Sequence, residues 1–228
     1  MFSLPHHQRI LQLLTVLDAE FLSQSECFFG GGTAIVMLLG EYRESRDIDF
    51  LCSSVSGYRA IRNLIFDRKI QGLFKSNVKE LREVRSDQYG VRTILEIENS
   101  AIKFEIVREG RIQLSGEMQA NIPVKTLSRV DLFAEKLLAN TDRYNDEAVN
   151  SRDIIDLAMM IEFWQGIPTE AWDKVIHAYG ESARQSFIKA VDFLNRPQYF
   201  DKCCESLMIS ASTKSRILRA LQKERETL

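Results

Sequence analysis

Apolar residues recur along this chain in two different periods, and the change from one to the other divides it. Residues 6 to 24 place Ile10, Leu13, Leu14, Leu17 and Phe21 three or four positions apart, the spacing of one buried helix face. Cys27-Phe28-Phe29 is a short apolar run stopped by Gly30-Gly31-Gly32, and Thr33 to Leu39 reads as a helix ended by Gly40. Asp47-Ile48-Asp49-Phe50-Leu51 alternates polar and apolar, the period of a strand. Residues 57 to 74 read as a helix with Ile61, Leu64, Ile65 and Phe66 inside. Val91 to Ile97 and Ala101 to Val107 alternate again, Asn99-Ser100 between them makes a hairpin, and Arg111 to Leu114 extends that sheet. After Pro123 only the helical period remains, over residues 126 to 143, 151 to 164, 168 to 178, 181 to 194 and 212 to 226. The expectation is an α+β chain: an α/β domain over residues 1–125 and a helical domain over residues 126–228.

Composition narrows the partners. The chain has 228 residues, 45% hydrophobic and 27% charged, the mix of a folded globular protein. Its formal net charge is -2, so a nucleic acid would have to be held by a local basic patch. The basic last helix, with Lys214, Arg216, Arg219, Lys223 and Arg225, reads as a solvated face. Cys27, Cys52, Cys203 and Cys204 form no CxxC pair, and His6, His7 and His177 have no zinc-ligand spacing. Both observations favour a reducing, cytoplasmic compartment without structural zinc. The N-terminal apolar stretch LQLLTVL ends at Asp18 without a small-residue cleavage site, unlike a signal peptide, and no apolar run has membrane-spanning length.

The chemistry concentrates in residues 28 to 51. Asp47 and Asp49, at i and i+2 of a strand, project to one face, with Ile48 and Phe50 behind them. Two crowded carboxylates repel each other, and a divalent cation removes that penalty; hard oxygen donors beside a triphosphate suit magnesium. The glycines place backbone N–H groups at a helix start, where anions bind. A glycine cradle followed by a paired-carboxylate strand is what phosphoryl or nucleotidyl transfer requires.

In order and spacing, Gly31-Gly32-Thr33-Ala34 followed by Arg43-x-Ser45-x-Asp47-Ile48-Asp49 resembles the DNA polymerase β-like nucleotidyltransferase superfamily. More narrowly it resembles the AbiEii/AbiGii-type family, toxins of type IV toxin–antitoxin systems. Val130 to Ala139 with Arg143, and Ser151 to Leu157, resemble that family's helical lysine motif and its later R-D-x-x-D-L motif, so the likeness covers roughly residues 26 to 160. It implies a mixed sheet with flanking helices followed by a helical domain. It implies an enzyme that moves a nucleoside monophosphate from an NTP to an acceptor hydroxyl and releases pyrophosphate. Asp47 and Asp49 would hold two magnesium ions, or manganese in their place. Glu105 would be the third carboxylate, as ligand or base, with Glu96 and Glu98 as weaker rivals. Gly31, Gly32 and Thr33 would cradle phosphates, Ser45 and Arg43 would contact them, and Arg46 competes with Arg43. Lys136 would bind the triphosphate and Asp153 would assist at the active site, while Asp156 reads as structural, paired with Arg152 or Arg143. The implied acceptor is a tRNA end or a protein side chain, and the implied partner a cognate antitoxin. Two other readings stand beside this one: a small-molecule acceptor, as in aminoglycoside-modifying nucleotidyltransferases, and a nucleotide- or partner-binding module without turnover.

Overall fold

The computed structural model describes residues 2–227. Its contacts divide the chain into two compact units: Met1–Ala34 with Ser45–Ser128, and Ile35–Glu44 with Arg129–Leu228. A single mixed sheet lies in the first unit, in the strand order β3-β4-β5-β2-β1-β7-β6. The strands are β1 (Cys27–Gly30), β2 (Ile48–Cys52), β3 (Lys79–Ser86), β4 (Gly90–Ile97), β5 (Ser100–Arg108), β6 (Gly116–Gln119) and β7 (Ile122–Leu127). At its centre β2 runs antiparallel to β1 and parallel to β5.

Alternation builds that centre. Ile102, Phe104 and Ile106 of β5 are fully buried, while Ala101 and Lys103 are exposed and Glu105 is half-buried. Phe29, Phe50, Phe104 and Phe74 form a chain of tilted ring contacts through the core. Each such buried side chain contributes roughly 1.5–3 kcal/mol over leaving it in water. The same alternation turns Asp49 and Glu105 to the other face.

Helices α1 (Pro5–Val16), α2 (Ala19–Gln24) and α4 (Val55–Arg68) pack against β7, β1 and β2. The single helix expected over residues 6 to 24 is broken at Leu17 and Asp18. Leu17 is extended and bridges Phe74, the Asp18 N–H donates to the Leu73 carbonyl, and the Asp18 carboxylate caps α2 at the Phe21 N–H. The helix expected over residues 57 to 74 stops at Arg68, because Lys69 takes a positive φ before a short 3-10 turn, Ile70–Leu73. Phe66, expected inside, is 86% exposed. The β4–β5 hairpin turns on Glu98 and Asn99, both at positive φ, one residue earlier than expected.

Residues 111 to 114 form no strand. Ile112 and Leu114 are buried in a loop fixed by the Leu114 N–H on Ser53 Oγ. Strands β3, β6 and β7 were not expected. β3 is an edge strand, exposed along most of its length and bulged against β4, so no alternation marks it. β7 carries Pro123, and its last residues, 126 and 127, fall where a helix was expected.

In the second unit, α5 (Arg129–Arg143) packs against α6 (Arg152–Trp164), α7 (Thr169–Tyr179) and α8 (Ser182–Leu194), and α10 (Ala211–Arg225) packs against α6. A further helix, α9 (Tyr199–Ser206), was not expected. It buries Tyr199, Phe200, Cys203 and Cys204 in only eight residues. The remaining helix, α3 (Gly31–Leu38), starts in the first unit and ends in the second.

Candidate active site

The site begins where β1 becomes α3. Gly30 is the register partner of Asp49, and Gly31 turns the chain with a φ of +67°. A Cβ at Gly31 would lie 2.5 Å from Asp49 Oδ2 and 2.9 Å from Asp49 Cβ. Glycine is therefore needed twice over, for the left-handed backbone and for the approach of the aspartate. Gly31→Ala should lower stability by about 1–2 kcal/mol through φ alone and push Asp49 aside. A denaturation midpoint unchanged from the parent would contradict that contact.

From Asp49 a charged row crosses the sheet. Asp49 is registered with Glu105 on β5, and Glu105 with Arg92 on β4. Arg92 Nε donates to Glu105 Oε1 at 2.6 Å, and Lys103 donates to Glu105 Oε2. Asp47 lies just before β2, on the Asp49 face by alternation. Burial works to lower the pKa of Lys103, but the Glu105 hydrogen bond and the charges of Glu105, Asp47 and Asp49 outweigh it, so the net shift is upward. The ammonium thus senses all three carboxylates. Among the described residues no three His, Cys, Asp or Glu side chains are already closed into a metal-holding group. All three carboxylates are hard oxygen donors, the kind a divalent cation takes, and at Glu105 such a cation would have to displace the Lys103 ammonium. The rivals lie elsewhere: Glu96 pairs with Lys79 at 2.6 Å, and Glu98 with Arg9 and Gln12.

Beside this row, Thr33 Oγ1 donates to Ser45 Oγ at 2.8 Å, which leaves the serine proton to be given away. The Ser45 loop is held by α1. His7, fully buried, lies 3.1 Å through Nε2 from both the Ser45 N–H and the Ser45 carbonyl, and His6 Nε2 lies 3.0 Å from the Arg46 carbonyl. One nitrogen cannot accept from the N–H and donate to the carbonyl at once, so the tautomer selects between them.

The second unit holds a separate buried network. Asp153 and Asp156, one turn apart on α6, are bridged by the Lys136 ammonium, at 2.9 Å from Asp153 Oδ1 and 2.7 Å from Asp156 Oδ2. Arg43 donates side-on to both oxygens of Asp156, each at 2.8 Å, and Tyr42 Oη donates to Oδ1 at 2.6 Å. Arg143 holds Asp153 through Nε at 2.7 Å and Nη2 at 3.0 Å. Burial alone would raise both aspartate pKa values. The charges of Lys136 and Arg143 on Asp153, and of Arg43 and Lys136 on Asp156, instead hold both below the usual carboxylate range.

The family model described as "Nucleotidyl transferase AbiEii toxin, Type IV TA system" matches residues 13–224. The chain belongs to this AbiEii family. Among curated proteins no relative matches it. The AbiEii chain resembles a candidate nucleotidyltransferase from H. pylori at a TM-score of 0.53 and 14% identity, covering 97% of this chain and 94% of that one. It also resembles an antigenic nucleotidyltransferase-like protein from Paracoccidioides brasiliensis at a TM-score of 0.51 and 15% identity, covering 93% of this chain and 98% of that one. At such identities the likeness carries the fold, a nucleotidyltransferase-type mixed sheet with flanking helices. Among the described residues no helix is long and apolar enough to cross a membrane.

In this AbiEii chain the first unit brings together Gly31, Gly32, Thr33, Ser45, Asp47, Asp49 and Glu105. Arg43, Lys136 and Asp153 lie in the second unit, where Arg43 and Lys136 meet on Asp156 and Lys136 also holds Asp153. Asp156 is paired with Arg43 and Lys136, not with Arg152 or Arg143 as expected, because α6 points it at the segment 35–44. Lys103, Arg92, His7 and Tyr42 were not singled out from the sequence. Lys103 was legible as the i−2 neighbour of Glu105; the other three required the register or the tertiary contact.

Proposed function

We propose that the chain transfers a nucleoside monophosphate from an NTP to an acceptor hydroxyl, using magnesium held by Asp47, Asp49 and Glu105. The observation that carries this reading is the contact of the Gly31 backbone with Asp49, whose strand neighbour is Glu105. It puts N–H groups for anionic oxygens beside carboxylates for their counter-cations. Magnesium, when bound, would polarise the attacking hydroxyl and neutralise charge on the leaving group.

The remaining chemistry belongs to the chain. The acceptor oxygen forms a bond to the α-phosphorus as the bond to pyrophosphate breaks. Gly31, Gly32 and Thr33 offer N–H donors at the start of α3 to the phosphate oxygens, and Ser45 offers its hydroxyl proton. Glu105, steadied by Arg92, would receive the proton of the attacking hydroxyl once the Lys103 ammonium gives way. Manganese would serve the same oxygen donors. Lys136 and Arg43 were expected on the triphosphate, and Asp153 at the chemistry. Their charges are already committed to the buried network, so in this reading they act by holding the second unit's frame.

The acceptor is proposed as an RNA end or a protein hydroxyl, and the physiological partner as an antitoxin. Incubating the chain with four α-labelled NTPs, magnesium and total tRNA should yield label on RNA or on protein, abolished by EDTA. Label on neither, with every NTP and with manganese as well, would overturn the proposal.

A further inference from the structure

On the far side of the sheet from Asp49, the first unit carries a groove of about 590 Å³ between α4, the β3–β4 turn and the end of β5. Helical spacing makes it. Ile61 and Ile65 of α4 are buried, which leaves Arg59, Arg62, Phe66 and Lys69 along an outer stripe. At 1.5 Å per residue that stripe is about 15 Å long, enough to run beside several consecutive phosphates. Arg108 adds a further cation. It lies three residues beyond Glu105 on β5, and so on the opposite face.

The lining contains four cations and no carboxylate. Arg59, Arg62 and Arg108 make no salt bridge among the described residues. Lys69 has only Glu83, at 3.4 Å with both side chains exposed, a pair of little worth. Asp87 lies at the edge and engages Arg92 at 3.4 Å. In a chain of net charge -2 this concentration of positive charge is local. Among the cations stands Phe66, 86% exposed, and at the turn Tyr89, 65% exposed, whose carbonyl accepts the Arg108 N–H.

We propose that this groove binds single-stranded nucleic acid, with Arg59, Arg62 and Arg108 on phosphates and Phe66 stacked on a base. Unpaired arginines track a backbone, and an aromatic side chain held in water among them offers a stacking surface that a duplex does not need. The groove is independent of the transfer site, which lies on the other face.

The test is fluorescence anisotropy of a labelled oligouridylate of about 12 nucleotides with the full chain in EDTA, without NTP. Binding should weaken with salt. Arg59→Ala combined with Arg62→Ala should weaken it at least about tenfold and flatten the slope of log affinity against log salt by about 1.4, at about 0.7 per phosphate contact. Phe66→Ala should weaken it about tenfold and leave that slope unchanged. All three side chains are exposed, and circular dichroism confirms that the variants fold. Affinity within twofold of the parent in either variant overturns the proposal. So does equal competition by an RNA duplex or a polyglutamate peptide of the same charge. Because neither NTP nor divalent ion is present, failure here leaves the transfer reading standing, and failure of transfer leaves this one standing.

Discussion

Asp49→Asn is expected to lower nucleotidyl transfer at least about 10³-fold, with little change in the midpoint of unfolding. The substitution keeps the shape that packs against Gly31 and removes only charge. The carboxylate, on the proposed reading, holds the cation that offsets the negative charge of the triphosphate. Losing several kcal/mol of that stabilisation corresponds to roughly three powers of ten in rate. The half-buried position makes the fold tolerant, because a neutral amide costs less to desolvate than a carboxylate. Label transfer from an α-labelled NTP at more than a tenth of the parental rate would remove Asp49 from the chemistry. A large fall in stability with the same substitution would recast it as a structural residue.

Asp156→Ala should destabilise the second unit by about 3–5 kcal/mol. It would strip the partner from Arg43, whose side chain is 3% exposed, and leave the Tyr42 hydroxyl and part of the Lys136 charge unanswered. Removing one member of a buried ion pair costs far more than the pair itself contributes. Both tryptophans, Trp164 and Trp172, lie in the second unit, so their fluorescence in a urea titration follows this unit by itself. A loss below about 1 kcal/mol would mean that the network is dispensable. The same network sets an acid limit. Asp153 and Asp156 have folded-state pKa values depressed below their unfolded values near 4, so the stability they contribute is complete above that range. It is lost as pH falls below about 4 and the buried carboxylates take up protons. Fluorescence-detected unfolding should therefore shift to lower urea on acidification in the parent, and less so in Asp156→Ala, where only Asp153 still contributes.

These two residues show how differently the sequence exposes its contents. Asp49 was legible because strand alternation is local: two aspartates in D-I-D share a face whatever the rest of the chain does. Asp156 was legible only as an acidic residue on a helix. Its partners were assigned to neighbours on the same helix or the preceding one, because nothing in the linear pattern shows that Tyr42 and Arg43, more than a hundred residues earlier, close on it. The edge strand β3 escaped for a related reason. With most of its side chains in water it needs no apolar alternation, and only its pairing with β4 makes it a strand.

By itself the sequence determined most of the helices and the central strands that bury one face, and the glycine turn into α3. All of these follow from backbone geometry within a few residues. Tertiary structure alone decided that Gly31 touches Asp49, that Lys136 and Arg43 spend their charge on buried aspartates, and that Phe66 faces water among arginines. Strand order, register and ion pairing join residues far apart in the chain, and the energy that selects them is that of packing and desolvation, which no local period records.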